Sequence, residues 1–342
     1  MSLIKMPHEL NCKGIKLKGL LYGVPGAGKT TLALSSPNPV LIDCDNGIHR
    51  VQAAHRTPFL PVTSYKEIQD LLGSGELNQF DSIVIDTAGK LLDYMSADII
   101  KNNPKMGKSD GALSLQGYGV RKQMFVNLIK QINIMGKHAV FVAHDKEDKR
   151  DDDVVMRPEI SGSSCADLMK ELDWVAYMEM NGNQRTISFA PCSRYYAKNS
   201  ARMNDIMVVP ALSADTPNNF LTRVFSKVQA AIEEESAETS RYTTLMIELR
   251  GDVAAIRDAK TGNKCLKAIR EADHIWDSKA KIRAALYEKV KEVGLKFDAK
   301  KDKFVGAEPE EEEESESTLT NFDLSMDEEP PHSEKVRKNE AA

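Results

Sequence analysis

The chain has 342 residues, 41% of them hydrophobic, with no run of about 18 apolar residues to cross a membrane and no apolar leader behind Met1. Five scattered cysteines without a C-x-x-C pair indicate neither a zinc site nor a disulfide framework, so a reducing cytoplasm is expected. The net charge of −5 is uneven: from Glu308 onward there are 13 Asp+Glu against 3 Lys+Arg, and the body left behind is mildly basic, which suits a polyanionic partner only weakly.

Lys16–Tyr22 reads as a buried strand, and Thr31–Ser36 as the first turns of a helix stopped by Pro37. Between them Gly23-Val24-Pro25-Gly26-Ala27-Gly28-Lys29-Thr30 fits G-x-x-x-x-G-K-[ST] at every fixed position. Glycines let backbone N–H groups converge on phosphates, and the helix N-terminus favours their charge. Lys29 is expected to reach the β- and γ-phosphates of a nucleotide, and the Thr30 hydroxyl to hold Mg²⁺, with Thr31 next to them. Val40–Asp43, Ser82–Asp86 and His138–Ala143 are further short apolar runs, separated by helical patterns at Tyr65–Leu72, Ala88–Ile100 and Val120–Met135. That alternation predicts an α/β fold with a mostly parallel sheet covered on both faces. Trp174–Met180 and Arg185–Ala190 flank Asn181-Gly182-Asn183, a hairpin signal that ends the sheet in antiparallel strands.

The α/β domain is therefore expected at 12–212. Phe220–Glu235, Thr239–Arg250, Asn263–Ala272 and Ser278–Val293 are charged and amphipathic, giving a helical appendage at 218–305. Residues 306–342 carry a glutamate run and Pro330-Pro331, and are expected to be a disordered acidic tail. Phe322-Asp323-Leu324 within it is either a peptide that docks on a partner's basic groove, a competitor for the chain's own basic surface, or part of a solubilising tail.

Ser82–Asp86 is an apolar strand ending in Asp. Asp86 either orients Mg²⁺ together with Thr30 or caps the helix that starts at Ala88. Thr87 follows it where an AAA+ enzyme shows a catalytic Glu, which points to another subclass.

In order, Gly23–Thr30, Leu41–Asp45, Ile83–Asp86 and Phe141–His144 resemble the RecA-like ATPases, and more closely phage-encoded nucleotide-binding proteins of that core related to single-strand annealing proteins. The resemblance spans about 14–212 and implies an ATP- and Mg²⁺-dependent ATPase acting in phage recombination, annealing or replication within the host cytoplasm. It implies that Asp45 activates the attacking water. The family has Glu there, one methylene longer, so hydrolysis is expected to be slow; the alternative is a turn made with Asn46-Gly47. It implies that His144 senses the γ-phosphate, the alternative being an ordinary strand end. It also implies two single-stranded DNA loops, one with Lys101, Lys105, Lys108 and Tyr118, the other with Lys146, Lys149 and Arg150. The second loop also carries six acids between Asp145 and Asp153, which favours the alternative of solvated active-site loops. Lys198 and Arg202 are implied to reach a neighbouring subunit's ATP in a homo-oligomer, or else to belong to a basic surface loop. Two rival functions stand beside this one: a nucleotide-gated interaction protein without a DNA role, and a small-molecule kinase.

Overall fold

A computed structural model describes residues 5–6, 12–150 and 153–306, without the side chains of 149, 150 and 153. The chain divides into two compact units, one of Cys12–Glu233 and a second that includes the residues from Glu234 onward.

In the first unit the elements are β1 (Lys18–Gly23), α1 (Lys29–Ala33), β2 (Pro39–Asp43), β3 (Phe59–Pro61), α2 (Tyr65–Ser74), β4 (Ser82–Asp86) and α3 (Ala88–Asn102). They continue with α4 (Leu115–Ile134), β5 (His138–Arg150), β6 (Asp153–Pro158), α5 (Ser164–Glu171), β7 (Trp174–Asn181), β8 (Gln184–Ser188), β9 (Lys198–Asn199) and β10 (Ile206–Val209). The main sheet runs β10-β8-β7-β1-β5-β4-β2-β3, with β6 attached to β5 and β9 to β7. The six strands from β7 to β3 pair in parallel, and β8 and β10 add an antiparallel end. This is the mostly parallel α/β sheet that the sequence predicts. Its strands read as continuous apolar runs because both faces are covered. Leu20, Tyr22, Ile83, Ile85 and Phe141 join one core cluster with residues of α2 to α5, while Leu21, Leu41, Val84, Val140 and Val142 join another with Leu32.

The sequence reading and the structure part at several places. The second expected loop, Asp145–Pro158, is a β-hairpin: the distal half of β5 pairs with β6 from Asp145↔Pro158 to Arg150↔Asp153. The two helices expected at 220–235 and 239–250 are one, α6 (Phe220–Ala254). No glycine or proline lies between Phe220 and Arg250, so nothing interrupts the ladder. The domain break expected at 212–218 falls instead within α6, between Glu233 and Glu234. The start of α6 is fastened to the end of α1: Leu221 N donates to Ser35 Oγ (2.9 Å), Thr222 N to Ser35 O (2.9 Å) and Asn218 Nδ2 to Thr31 O (2.7 Å). Leu221, Phe225 and Val228 then bury against Leu17 and Trp174.

The second unit contains α7 (Ala259–Glu271), α8 (Ser278–Val293) and a hairpin of β11 (Leu295–Asp298) and β12 (Lys303–Gly306). The hairpin is an addition to the all-helical appendage expected there. A core of its own gathers Leu249, Ile256, Leu266, Ile282, Leu286 and Phe304. Asp258 and Thr261 form a reciprocal capping box at the start of α7. The acidic tail, apart from Gly306, lies outside the described residues. Among those described, no helix is long and apolar enough to cross a membrane.

Candidate functional site

The segment Gly23–Thr30 leaves β1 and enters α1, as a phosphate loop requires. Gly23 has φ 153°, and a Cβ there would lie 2.0 Å from the Met178 carbonyl oxygen, so only glycine fits against β7. Gly28, with φ 95°, is the N-cap of α1. Lys29 is buried, and its Nζ donates to the carbonyls of Gly23 and Val24 at 2.8 Å each. Burial lowers the Lys29 pKa, against the opposing pull of Asp86 and Asp145. An ammonium whose partners are neutral carbonyls is poised to exchange them for phosphate oxygens.

Asp86 ends β4 beside the loop. Thr30 Oγ1 donates to its Oδ2 at 2.5 Å. Burial raises the Asp86 pKa, Thr30 and Lys29 oppose the rise, and Asp45 and Asp43 add to it. Asp86 does not cap α3; Thr87 does, accepting from Lys90 N at 3.3 Å. A hydroxyl and a buried carboxylate strained in its ionised form are a hard-oxygen donor pair that fits Mg²⁺. Among the described residues no three His, Cys, Asp or Glu side chains gather to hold a metal by themselves. Thr30 and Asp86 are the residues that would hold the ion.

The turn after β2 is closed by Asp43, which accepts from Gly47 N (2.9 Å) and Ile48 N (3.0 Å). Asp45 is left out of that turn, and its Oδ2 accepts instead from Arg50 Nη1 at 2.7 Å. His144 pairs with Gly23 across β1 and β5, and β5 lies between β1 and β4, so His144 stands between the loop strand and the Asp86 strand. Its Nδ1 is buried without a partner.

The candidate DNA residues do not form two loops. Lys101 is exposed on α3, Lys105 on a single 3₁₀ turn and Lys108 on a short connection, while Tyr118 is in α4 with Arg121 over its ring at 4.9 Å. Lys146 is exposed on the hairpin, where Asp148 is neutralised by Arg157 at 2.7 Å. Lys149 and Arg150 pair with β6 through the backbone. Asp145, counted among the loop acids in the sequence, instead receives the Tyr177 hydroxyl at 3.3 Å and acts on Lys29. Lys198 Nζ donates to the carbonyls of Met169 (3.1 Å) and Lys170 (3.3 Å), closing the C-terminus of α5 within its own chain. Arg202 is exposed on a turn with φ 54°.

Two cations near the loop carry no sequence signal. Arg50 holds Asp45, and Arg185, on β8, lies against Gly28. Neither belongs to a motif, and only the β7–β8 hairpin register brings Arg185 there.

A family described as an AAA domain matches residues 15–201, more than half of the chain. The chain belongs to that family. Gly23–Thr30, Asp45, Asp86 and His144 all fall inside the matched span of the AAA domain. Comparison with curated proteins gave no match. Among solved structures, one similar chain is a KaiC-like protein of the hyperthermophilic archaeon Pyrococcus horikoshii, at 12% identity over 58% of this chain and 90% of that one, with a TM-score of 0.34.

Proposed function

We propose that this AAA domain protein is a Mg²⁺-dependent ATPase that works on single-stranded DNA, in phage recombination, annealing or replication, as a homo-oligomer in the host cytoplasm. The carrying observation is the convergence of Lys29, Thr30 and Asp86 at the loop of Gly23–Gly28. Loop amides and Lys29 hold and neutralise the phosphates, while Thr30 and Asp86 hold the metal. Mg²⁺, when bound, supplies positive charge to the β- and γ-phosphate oxygens. Asp45, released from Arg50, orients water toward the γ-phosphate, and His144 carries the state of that phosphate into the β5–β6 hairpin. Arg202 is exposed and is the candidate to reach a neighbouring subunit, while Lys198 closes α5 within its own chain.

The DNA reading draws support from one stretch of the chain. Lys101, Lys105 and Lys108 lie close in sequence to Tyr118, which is 44% exposed, and to Leu115, which is 88% exposed. Cations with exposed aromatic and apolar groups suit stacked bases on a charged backbone. The exposed Glu147 on the hairpin favours the second reading, a nucleotide-gated interaction protein without DNA. A salt titration separates them. If phosphates are bound, single-stranded DNA affinity falls steeply, by orders of magnitude between about 50 and 200 mM salt for six or more contacts, and DNA accelerates ATP turnover. Absence of binding at low salt supports the second reading.

A further inference from the structure

Arg185 is held from both sides in the antiparallel end of the sheet, paired with Met180 on β7 and with Val209 on β10. Its side chain is therefore delivered from a fixed backbone. The guanidinium lies over the phosphate loop: a Cβ on Gly28 would fall 3.5 Å from Nε and 3.8 Å from Cζ. Nε is buried and has no hydrogen-bond partner. Buried guanidinium nitrogens are seldom left without an acceptor, so the geometry is that of a donor awaiting one.

Beside it opens a cavity of about 240 Å³. Its lining combines polar groups, Thr31, Gln52 and His55, with apolar ones, Met178, Leu212 and Phe220. Gly28 and Arg185 also line it, whereas Lys29, Thr30 and Asp86 do not. The cavity thus meets the loop at Gly28 and Thr31, with Arg50 also on its wall, rather than at the metal pair. In a G-x-x-x-x-G-K-[ST] loop the lysine reaches the β- and γ-phosphates and the backbone cradles the α- and β-phosphates. A cavity that meets the loop at Gly28 and Thr31 is then placed to take the sugar end of the nucleotide.

We propose that Arg185 is a phosphate ligand acting within its own chain. It donates to the α-phosphate of a bound nucleoside di- or triphosphate, whose ribose and base enter the cavity between Thr31 and Phe220. This rests on the reading of Gly23–Thr30 as the nucleotide site. It differs in kind from a finger contributed by a neighbouring subunit, which acts on the transferring γ-phosphoryl group. A contact to the α-phosphate is remote from the breaking β–γ bond and is made alike in the ground and transition states, so it sets affinity and leaves the chemical step alone. It is also shared by ATP and ADP.

The test is calorimetric titration of MgATP and MgADP into the full chain, as wild type, Arg185→Met and Arg185→Lys, with steady-state hydrolysis alongside. Arg185→Met is expected to weaken both nucleotides by a similar factor, about 10- to 100-fold for a lost charge-assisted bond. It is expected to keep kcat near the wild-type value and to melt like the wild type without ligand, since Nε gives up no protein partner. Arg185→Lys keeps charge but loses the fork, and is expected to bind with intermediate affinity. It carries the comparison should the Met variant not fold. Unchanged affinities in these variants, or a fall in kcat at unchanged affinity, would overturn the assignment of Arg185 while leaving the nucleotide site standing. A wild-type chain that binds neither nucleotide would overturn the nucleotide site itself.

Discussion

Asp86→Asn is expected to cut MgATP hydrolysis by at least about a hundredfold and to leave the chain folded. The carboxylate is one of two protein donors placed for the metal, and its amide replacement still accepts the Thr30 hydroxyl that now donates at 2.5 Å. Packing and the local hydrogen bond survive; the negative charge does not. The same substitution has a pH signature. Burial holds the Asp86 pKa above the ordinary carboxylate value, so the folded chain binds that proton more tightly than the unfolded chain does. The stability this contributes is present at acid pH and is lost as pH rises through the folded-state value. Asparagine has no such dependence, so between acid and neutral pH the ligand-free variant is expected to gain stability relative to wild type. Thermal melts of both proteins across a pH series check this. Parallel pH curves would mean that Asp86 carries no strain for a cation to relieve.

Gly19→Ala is expected to cost more stability than a typical core substitution, several kcal/mol, and to leave little folded protein. Gly19 pairs with Trp174 across β1 and β7, and a Cβ there would sit 1.9 Å from the indole Cε2. The ring has little room to retreat: Trp174 is fully buried, with Phe189 at 5.8 Å and Phe225 at 6.1 Å between centroids. The clash is with rigid aromatic atoms rather than with the end of a flexible chain. Gly19→Ala combined with Trp174→Leu is expected to recover part of the loss, because the double change removes the obstacle along with creating it. Denaturant unfolding of the single and double variants measures the coupling. An alanine variant as stable as wild type would contradict the packing described.

The strands that carry the site were legible because burial on both faces makes them dense apolar runs. Ser82–Asp86 and the start of the Ala88 helix agree to the residue; Lys29 and Thr30 came from a motif whose spacing is dictated by phosphate geometry, and Asp86 from its place at the end of an apolar strand. What escaped has physical reasons. The distal half of β5 and β6 form a two-stranded hairpin outside the main sheet, so Lys146, Glu147 and Asp148 show none of the apolar pattern of a covered strand. Phe59–Pro61 is three residues long and ends in proline at the sheet edge. The first turns of α6 read as the start of an appendage because amphipathic period says nothing about which core a helix covers; Ser35 and Trp174 decide that. Arg185 and Arg50 reach the site through register and turn geometry, which a one-dimensional pattern does not carry. Asp43 and Asp45 are two residues apart on one turn, and only the bonds to Gly47 N and Arg50 separate the structural carboxylate from the one left near the site.

The central claim is that Lys29 belongs to a site that binds and turns over MgATP. Calorimetric titration of MgATP into wild type and Lys29→Ala, with phosphate release measured on the same samples, tests it most directly. Tight, Mg²⁺-dependent binding and turnover by wild type, both reduced at least about a hundredfold in the folded variant, is the predicted result. Equal binding and turnover by the two proteins, or none by either, would contradict it.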